Sequence, residues 1–137
     1  MFGRERIAQA LAVTDAVVIC TSSEASSQHL IDAAALAAMK PKAFLVNVAR
    51  GDLVDGAALI AALRAGRLSG AALDVTEVEP LPPTSPLWDL PNVIISPHIA
   101  GGGSSGYPQQ KALFGENLAR LAAGEPLRNV CRIPLAA

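Results

Sequence analysis

Apolar residues occur along this chain in short continuous runs, separated by polar residues, glycines and prolines. One such run, Ala16–Cys20, follows Asp15, and three similar runs cover residues 43–48, 70–75 and 92–96. Continuous apolar runs of this length, bounded by turn-forming residues, are typical of strands that are buried on both faces of a parallel sheet. The pattern therefore predicts four buried strands.

Helical segments alternate with these strands. Asp32 and Asp55 are residues of the type that caps helix N-termini, and Gly66 suits the positive φ that follows a helix C-terminus. The predicted helices cover residues 7–13, 32–39, 56–65 and about 108–123. Because strands that alternate with helices imply right-handed crossovers, we predict an α/β fold with a mainly parallel sheet of about four strands and covering helices.

Composition narrows the classes of partner. Hydrophobic residues make up 51% of the 137 residues and charged residues only 17%, against roughly 25% in an average soluble protein. The formal net charge is −1 and no run of Lys or Arg stands out, so the sequence gives no indication of a nucleic-acid partner or of binding to an anionic membrane. No apolar run is long enough to span a bilayer.

The two cysteines, Cys20 and Cys131, lie far apart and form no CxxC motif. This spacing argues against a disulfide scaffold and against a zinc site, and we predict no metal site. Reduced thiols are typical of the cytosol, which predicts a cytoplasmic protein.

The residues that follow the predicted strands carry most of the candidate chemistry. Ligands of an open parallel α/β sheet bind beyond the carboxyl ends of its strands. One guanidinium, three carboxylates and one imidazole fall at that edge: Arg50, Asp74, Glu77, Glu79 and His98. Each of these residues alone is weak support for a site, but their convergence on one edge of the sheet predicts one.

This set of side chains suits the reduction of a 2-oxo acid. A planar Arg fork matches the substrate carboxylate. A histidine can give or take the proton of the carbonyl oxygen near neutral pH, and a neighbouring carboxylate favours its protonated form. A cofactor must supply the hydride, because no side chain can. The chemistry of the residues does not choose between Glu77 and Glu79 as the partner of His98.

Four segments match motifs of one family in order and spacing. Residues 46–55 (VNVARGDLVD), 70–80 (GAALDVTEVEP), 87–93 (LWDLPNV) and 96–101 (SPHIAG) resemble signatures of the D-isomer-specific 2-hydroxyacid dehydrogenases, with glyoxylate/hydroxypyruvate reductases among them. The resemblance runs from about Ile7 to Val130. It implies the C-terminal half of a Rossmann-like, doubly wound parallel sheet in residues 1–123, without the GxGxxG half, followed by a tail in residues 124–137.

The resemblance also implies roles for individual residues. Arg50 would bind the substrate carboxylate, His98 would be the acid/base, and Glu79 rather than Glu77 would pair with His98. NAD or NADP would be the cofactor, with Asp74 at its nicotinamide end. The implied cofactor site consists of Thr21, Ser22, Val48, Ala49, Arg50, Asp74, His98, Ala100 and Gly101.

Several of these residues also have a structural interpretation. Asp74 can cap a loop, Glu79 can be an exposed charge and His98 a structural histidine. We interpret His29 as a surface residue and Trp88 as a packing anchor rather than a substrate contact.

The sequence also departs from the family pattern. Ser22, Ser23 and Glu24 stand where the family usually has a Pro-Leu-Thr loop, and the glycine cluster Gly101–Gly103 follows the last strand, so we do not interpret it as the phosphate-binding fingerprint. The substrate domain and the phosphate loop are missing, so we expect little activity from the isolated chain and a homodimer that covers the open edge of the first strand.

Two other functions remain open. One is a non-catalytic binding module, because the C-terminal-binding-protein corepressors share similar motifs. The other is a truncated structural remnant. A phosphoacceptor receiver domain is not favoured, because Thr21-Ser22-Ser23 lacks the acidic cluster that such a domain needs after its first strand.

Overall fold

A computed structural model describes residues 6–102 and 106–130 of the chain. Its four strands form one parallel sheet in the order β1-β2-β3-β4. The strands are β1 (Ala16–Ile19), β2 (Phe44–Asn47), β3 (Gly70–Leu73) and β4 (Val93–Ile95), and the helices are α1 (Ile7–Leu11), α2 (Ala33–Ala38), α3 (Gly56–Arg64) and α4 (Gly106–Ala122). The predicted α/β class and element order are confirmed, with bounds that differ by a few residues from those expected.

The predicted helix ends have a visible local cause. Asp32 Oδ1 accepts a hydrogen bond from Ala35 N (2.8 Å), and Asp55 Oδ1 accepts one from Ala58 N (2.9 Å), so each carboxylate satisfies a backbone donor that the first helical turn leaves unpaired. Gly66 follows α3 with φ +64°, the left-handed conformation that a glycine adopts at little cost.

One face of the sheet carries the hydrophobic core. Ile19, Leu45, Ala71 and Leu73 share this face and are buried, and Leu45 is 0% exposed. They belong to one cluster with residues of all three helices that precede β3: Leu11, Ala35, Leu36, Leu59 and Leu63. Helices α1, α2 and α3 therefore lie on the same side of the sheet.

The opposite face is open, which contradicts the prediction of strands buried on both faces. Val18 is 56% exposed, Phe44 52% and Ile94 72%. The physical reason lies in the strand order, which advances from β1 to β4 without reversing. Right-handed crossovers that all advance in one direction place their helices on one face, and only a second half wound in the other direction covers the other face.

The chain divides into two compact units, residues 1–101 and 102–137. In the second unit, Asn117 of α4 holds the segment after the helix: its Nδ2 donates to Arg128 O (3.1 Å) and its Oδ1 accepts from Arg128 N (2.9 Å). Glu116 pairs with Arg128 (2.8 Å) and with Arg120 (3.2 Å). The predicted division at residue 123 stays a prediction.

Some of the sequence expectations fall outside the described residues, among them those for Gly103 and Cys131. The spacing of Gly101, Gly103 and Gly106 does satisfy GxGxxG as a letter pattern, which our interpretation of the glycine cluster overlooked. It follows β4 rather than preceding β1, and residues 103–105 lie outside the described ranges.

Within residues 6–102 and 106–130, no helix has the length and apolarity needed to cross a bilayer.

Candidate active site

The loops beyond β1 and β2 line an open cavity at the carboxyl edge of the sheet. Its volume is about 560 Å³. The walls consist of Cys20, Thr21, Ser22, Ser23, Val48, Ala49 and Arg50. Five of the residues predicted to line a cofactor site therefore share this cavity, beyond the two strands at the β1 end of the sheet.

Asn47, at the end of β2, shapes the turn that presents Arg50. Its side chain is 1% exposed, donates from Nδ2 to Arg50 O (2.8 Å) and accepts at Oδ1 from Ala49 N (3.1 Å). The Arg50 side chain is exposed and donates from Nη1 to Ala49 O (2.6 Å). No ion pair joins Arg50 to any carboxylate in the described ranges, so its guanidinium charge is not neutralised by a neighbouring side chain.

Gly51 packs the loop after β2 against the loop after β3. A Cβ atom at this position would lie 1.9 Å from Thr76 O and 2.6 Å from Glu77 N, distances that no side chain can occupy. A glycine is therefore required here for a close approach of two backbones. The contact brings the residue next to Arg50 against the segment that carries Glu77 and Glu79.

A second cavity lies beyond β3 and β4, also with a volume of about 560 Å³. Asp74, Glu79, Trp88 and His98 contribute to its walls. His98 Nδ1 lies 2.7 Å from Glu79 Oε2 and donates to it, while Glu79 Oε1 accepts from Thr76 N (3.0 Å). The hydrogen bond from His98, followed by that from Thr76, lowers the pKa of Glu79, which keeps it an acceptor at neutral pH.

The Asp74 carboxylate organises the loop that carries His98. It accepts hydrogen bonds from Ser96 Oγ (2.5 Å), Ile99 N (2.9 Å) and Ala100 N (2.8 Å), and Asp74 O accepts one from His98 N (3.0 Å). These donors, Ser96 first, lower the pKa of Asp74. His98 itself has φ +56°, a left-handed conformation that non-glycine residues rarely adopt and that the surrounding hydrogen bonds hold in place.

The hydrogen bonds of Asp74 match its loop-capping interpretation, and its contact with a cofactor stays a prediction. Ala100 and Gly101 are exposed and line neither of these cavities. Among the described residues, no hydrogen bond or ion pair links Arg50 to His98. The candidate site thus consists of two neighbouring parts at one sheet edge, one around Arg50 and one around His98.

Sequence reasoning missed several residues. Asn47 and Ser96 hold the two loops through hydrogen bonds; a polar residue at the end of a buried strand is a usable signal, because buried polar groups need partners. His29, interpreted as a surface residue, is half-exposed but pairs with Glu77. Trp88, interpreted as a packing anchor, is 52% exposed on the cavity wall, where Nε1 donates to Pro82 O (3.0 Å).

Comparison with known proteins places these features in a family. The family profile described as "D-isomer specific 2-hydroxyacid dehydrogenase, NAD binding domain" matches residues 2–100. A glyoxylate reductase of Thermofilum pendens is 42% identical over 112 residues, which is 82% of this chain and 33% of that protein. An (S)-sulfolactate dehydrogenase of Chromohalobacter salexigens is 48% identical over 97 residues, 71% of this chain and 31% of that protein.

A solved structure has the same architecture. The D-isomer specific 2-hydroxyacid dehydrogenase of Xanthobacter autotrophicus Py2, in complex with NADPH and MES, superposes with a TM-score of 0.82 at 42% identity over 93% of this chain and 52% of that one. The chain thus spans about a third of the length of the curated relatives it matches. It belongs to the D-isomer-specific 2-hydroxyacid dehydrogenase family and covers the C-terminal part of the family's NAD-binding domain.

Proposed function

We propose that this chain is part of an NAD- or NADP-dependent oxidoreductase that interconverts a small 2-oxo acid and the corresponding D-2-hydroxy acid. The observation that carries the proposal is the 2.7 Å contact between His98 Nδ1 and Glu79 Oε2 at the sheet edge where Arg50 is also exposed. A histidine oriented by a carboxylate, at the same sheet edge as an unneutralised guanidinium, is the set of groups that reduction of a 2-oxo acid requires.

The proposed roles follow from the chemistry of each side chain. The Arg50 fork binds the substrate carboxylate and orients the neighbouring carbonyl. Protonated His98 gives the proton on Nε2 to the carbonyl oxygen as that oxygen gains the electron pair of the C=O bond. Glu79 accepts from Nδ1, which fixes the orientation of the ring and stabilises its positive charge. In the reverse direction, neutral His98 takes the hydroxyl proton back.

The nicotinamide cofactor, when bound, supplies or accepts the hydride at the substrate carbon. The cavity beyond β1 and β2 fits its reactive end, because that cavity lies at the carboxyl edge of the sheet and is adjacent to Arg50. Thr21, Ser22, Val48 and Ala49 would line this end, with Asp74, Ala100 and Gly101 as further proposed contacts. The relatives act, by name, on glyoxylate and on sulfolactate, so we propose a small 2-oxo acid as substrate without choosing between them.

The experiment that tests the roles uses a longer parent protein carrying this sequence. His98→Ala should abolish turnover of 2-oxo acids and spare cofactor binding, because the proton donor is lost while the cofactor contacts remain. Arg50→Gln should weaken substrate binding chiefly, with a higher KM. Unchanged turnover in the His98→Ala variant would contradict the assignment.

For the isolated chain we propose little turnover, because it spans about a third of the length of the curated relatives it matches, and substrate positioning and closure depend on the whole site. Calorimetric titration with NADH tests whether this part of the site is pre-formed: micromolar binding would support a pre-formed site, whereas no binding up to millimolar NADH would mean that cofactor affinity requires the longer parent. A homodimer through the exposed edge of β1 is also proposed, and a monomeric mass in light scattering would exclude it. The cytoplasmic location stays a prediction.

A further inference from the structure

Both histidines of this chain pair with a glutamate of the same turn. His98 Nδ1 donates to Glu79 Oε2, and His29 Nε2 lies 2.8 Å from Glu77 Oε1. The sequence contains only these two histidines. The proposed reaction uses the pair of His98 and leaves the pair of His29 without a role, although both pairs depend on the same four-residue turn, residues 76–79.

The turn 76–79 carries both glutamates and contains its own hydrogen bonds. Thr76 N donates to Glu79 Oε1 (3.0 Å), and Thr76 Oγ1 donates to Val78 O (2.8 Å). Glu77 Oε2 accepts from Gly56 N at the start of α3 (3.3 Å). The segment that carries both glutamates is therefore closed by its own hydrogen bonds and attached to the start of α3 through Glu77.

His29 is fixed on its other side. Its backbone N donates to Asp52 O (2.8 Å), in the segment that follows Arg50, and Asp52 Oδ2 accepts from Ser23 Oγ (2.5 Å). His29 has φ +49°, so its imidazole projects from a left-handed residue as that of His98 does. The pair of His29 and Glu77 therefore ties together the loops that follow β1, β2 and β3.

The charges around His29 favour its protonated form. Its hydrogen bond with Glu77 raises the pKa of His29 above the ordinary 6.5, and the charges of Glu77, Asp55 and Asp52 act in the same direction. A raised pKa means that the stabilising contribution of protonated His29 is present below the ordinary 6.5 and is lost as pH rises through the higher folded-state pKa. The contact is half-exposed, so salt screens it.

We propose that His29 and Glu77 are positioning residues, which hold the turn 76–79 so that the Glu79 carboxylate stays in place against His98. The role of these two residues in catalysis rests on the proposed function, whereas their hydrogen bonds to the neighbouring loops do not depend on it. His29 and Glu77 touch neither substrate nor cofactor; they act through Glu79 on the orientation and tautomer of the His98 ring. A change in the protonation of His29 therefore alters the orientation of the ring of His98, the candidate acid/base.

The test uses NMR of the full chain, in which the two histidines contribute only two sets of imidazole signals. His29→Asn removes the imidazole and keeps a residue that tolerates positive φ. Glu77→Gln removes the charge and keeps an acceptor. Lys40→Gln is the matched control, because it removes an exposed ion pair, with Asp15, at the opposite edge of the sheet. The readout is the Nδ1–H proton of His98, its downfield shift and its exchange with water.

In the native chain we expect a downfield Nδ1–H of His98, because this proton is hydrogen-bonded to the Glu79 carboxylate. Both His29→Asn and Glu77→Gln should move this signal upfield and speed its exchange several-fold, while Lys40→Gln leaves it unchanged. An unchanged signal in folded Glu77→Gln, or its absence from the native chain, would overturn the proposal even if His29→Asn fails to fold. In the longer parent, the same substitutions should lower kcat more than they change KM. A parent without dehydrogenase activity would refute the proposed function and leave the NMR result standing.

Discussion

The two faces of the sheet differ in how far their side chains are buried. On one face Leu45 is fully buried under three helices, whereas on the other its neighbour Phe44 is half-exposed, and Ile94 still more so. The two faces are equally apolar in sequence. The difference comes from the strand order, because crossovers in one direction supply helices to one face only.

The largest expected effect comes from neighbouring residues on opposite faces. Leu45→Ala should lower the free energy of unfolding by about 2–5 kcal/mol, because it leaves a cavity in a packed core. Phe44→Ala, one residue earlier, should cost under about 1 kcal/mol, since much of its ring already contacts solvent. Chemical denaturation of the two variants measures the difference. Equal losses would mean that the Phe44 face is covered in solution.

A smaller effect tests whether the open face tolerates every substitution. Gly70 shares its face with Phe44, but a Cβ at Gly70 would lie 2.7 Å from Asn92 O. We therefore expect Gly70→Ala to destabilise the sheet by about 1–3 kcal/mol, because β3 and the start of β4 must separate. Gly115→Ala in α4 is the control, since a Cβ there meets nothing within 4 Å. Loss of stability in the control alone would contradict this account.

The same comparison explains what the sequence could predict. The helix caps at Asp32 and Asp55 are local, so residue type and position were sufficient to predict them. One-sided burial depends on strand order, which the apolar runs around Phe44 and Leu45 do not encode.

The candidate site follows the same division between local and distant causes. The position of Arg50, Glu79 and His98 after their strands was predictable, because strand ends are visible in the sequence. The assignment of glutamates to histidines was not predictable from residue chemistry, because it depends on how the turn 76–79 is folded. Glu79 meets His98 and Glu77 meets His29 only once the turn closes.

The smallest expected effect separates the buried face from the carboxyl edge by their response to pH. The buried face has no ionisable side chain among its described strand residues, whereas the edge loops depend on Asp74 and Glu79, both of which have a lowered pKa. A lowered pKa means that the stabilising contribution is complete above the ordinary values of 3.8 and 4.5 and is lost as pH falls through the lower folded-state values.

Between pH 7 and pH 3 we therefore expect the midpoint of thermal unfolding to fall. The fall should be smaller in Asp74→Asn, which no longer titrates, and should be unaltered in Phe44→Ala. Backbone amide exchange should show the loss first in residues 96–100, whose donors Asp74 holds, and last in β2, whose core neighbours carry no charge. Simultaneous loss in both regions would mean that the edge loops and the buried face unfold as one unit, and that the contrast between them is one of structure and not of stability.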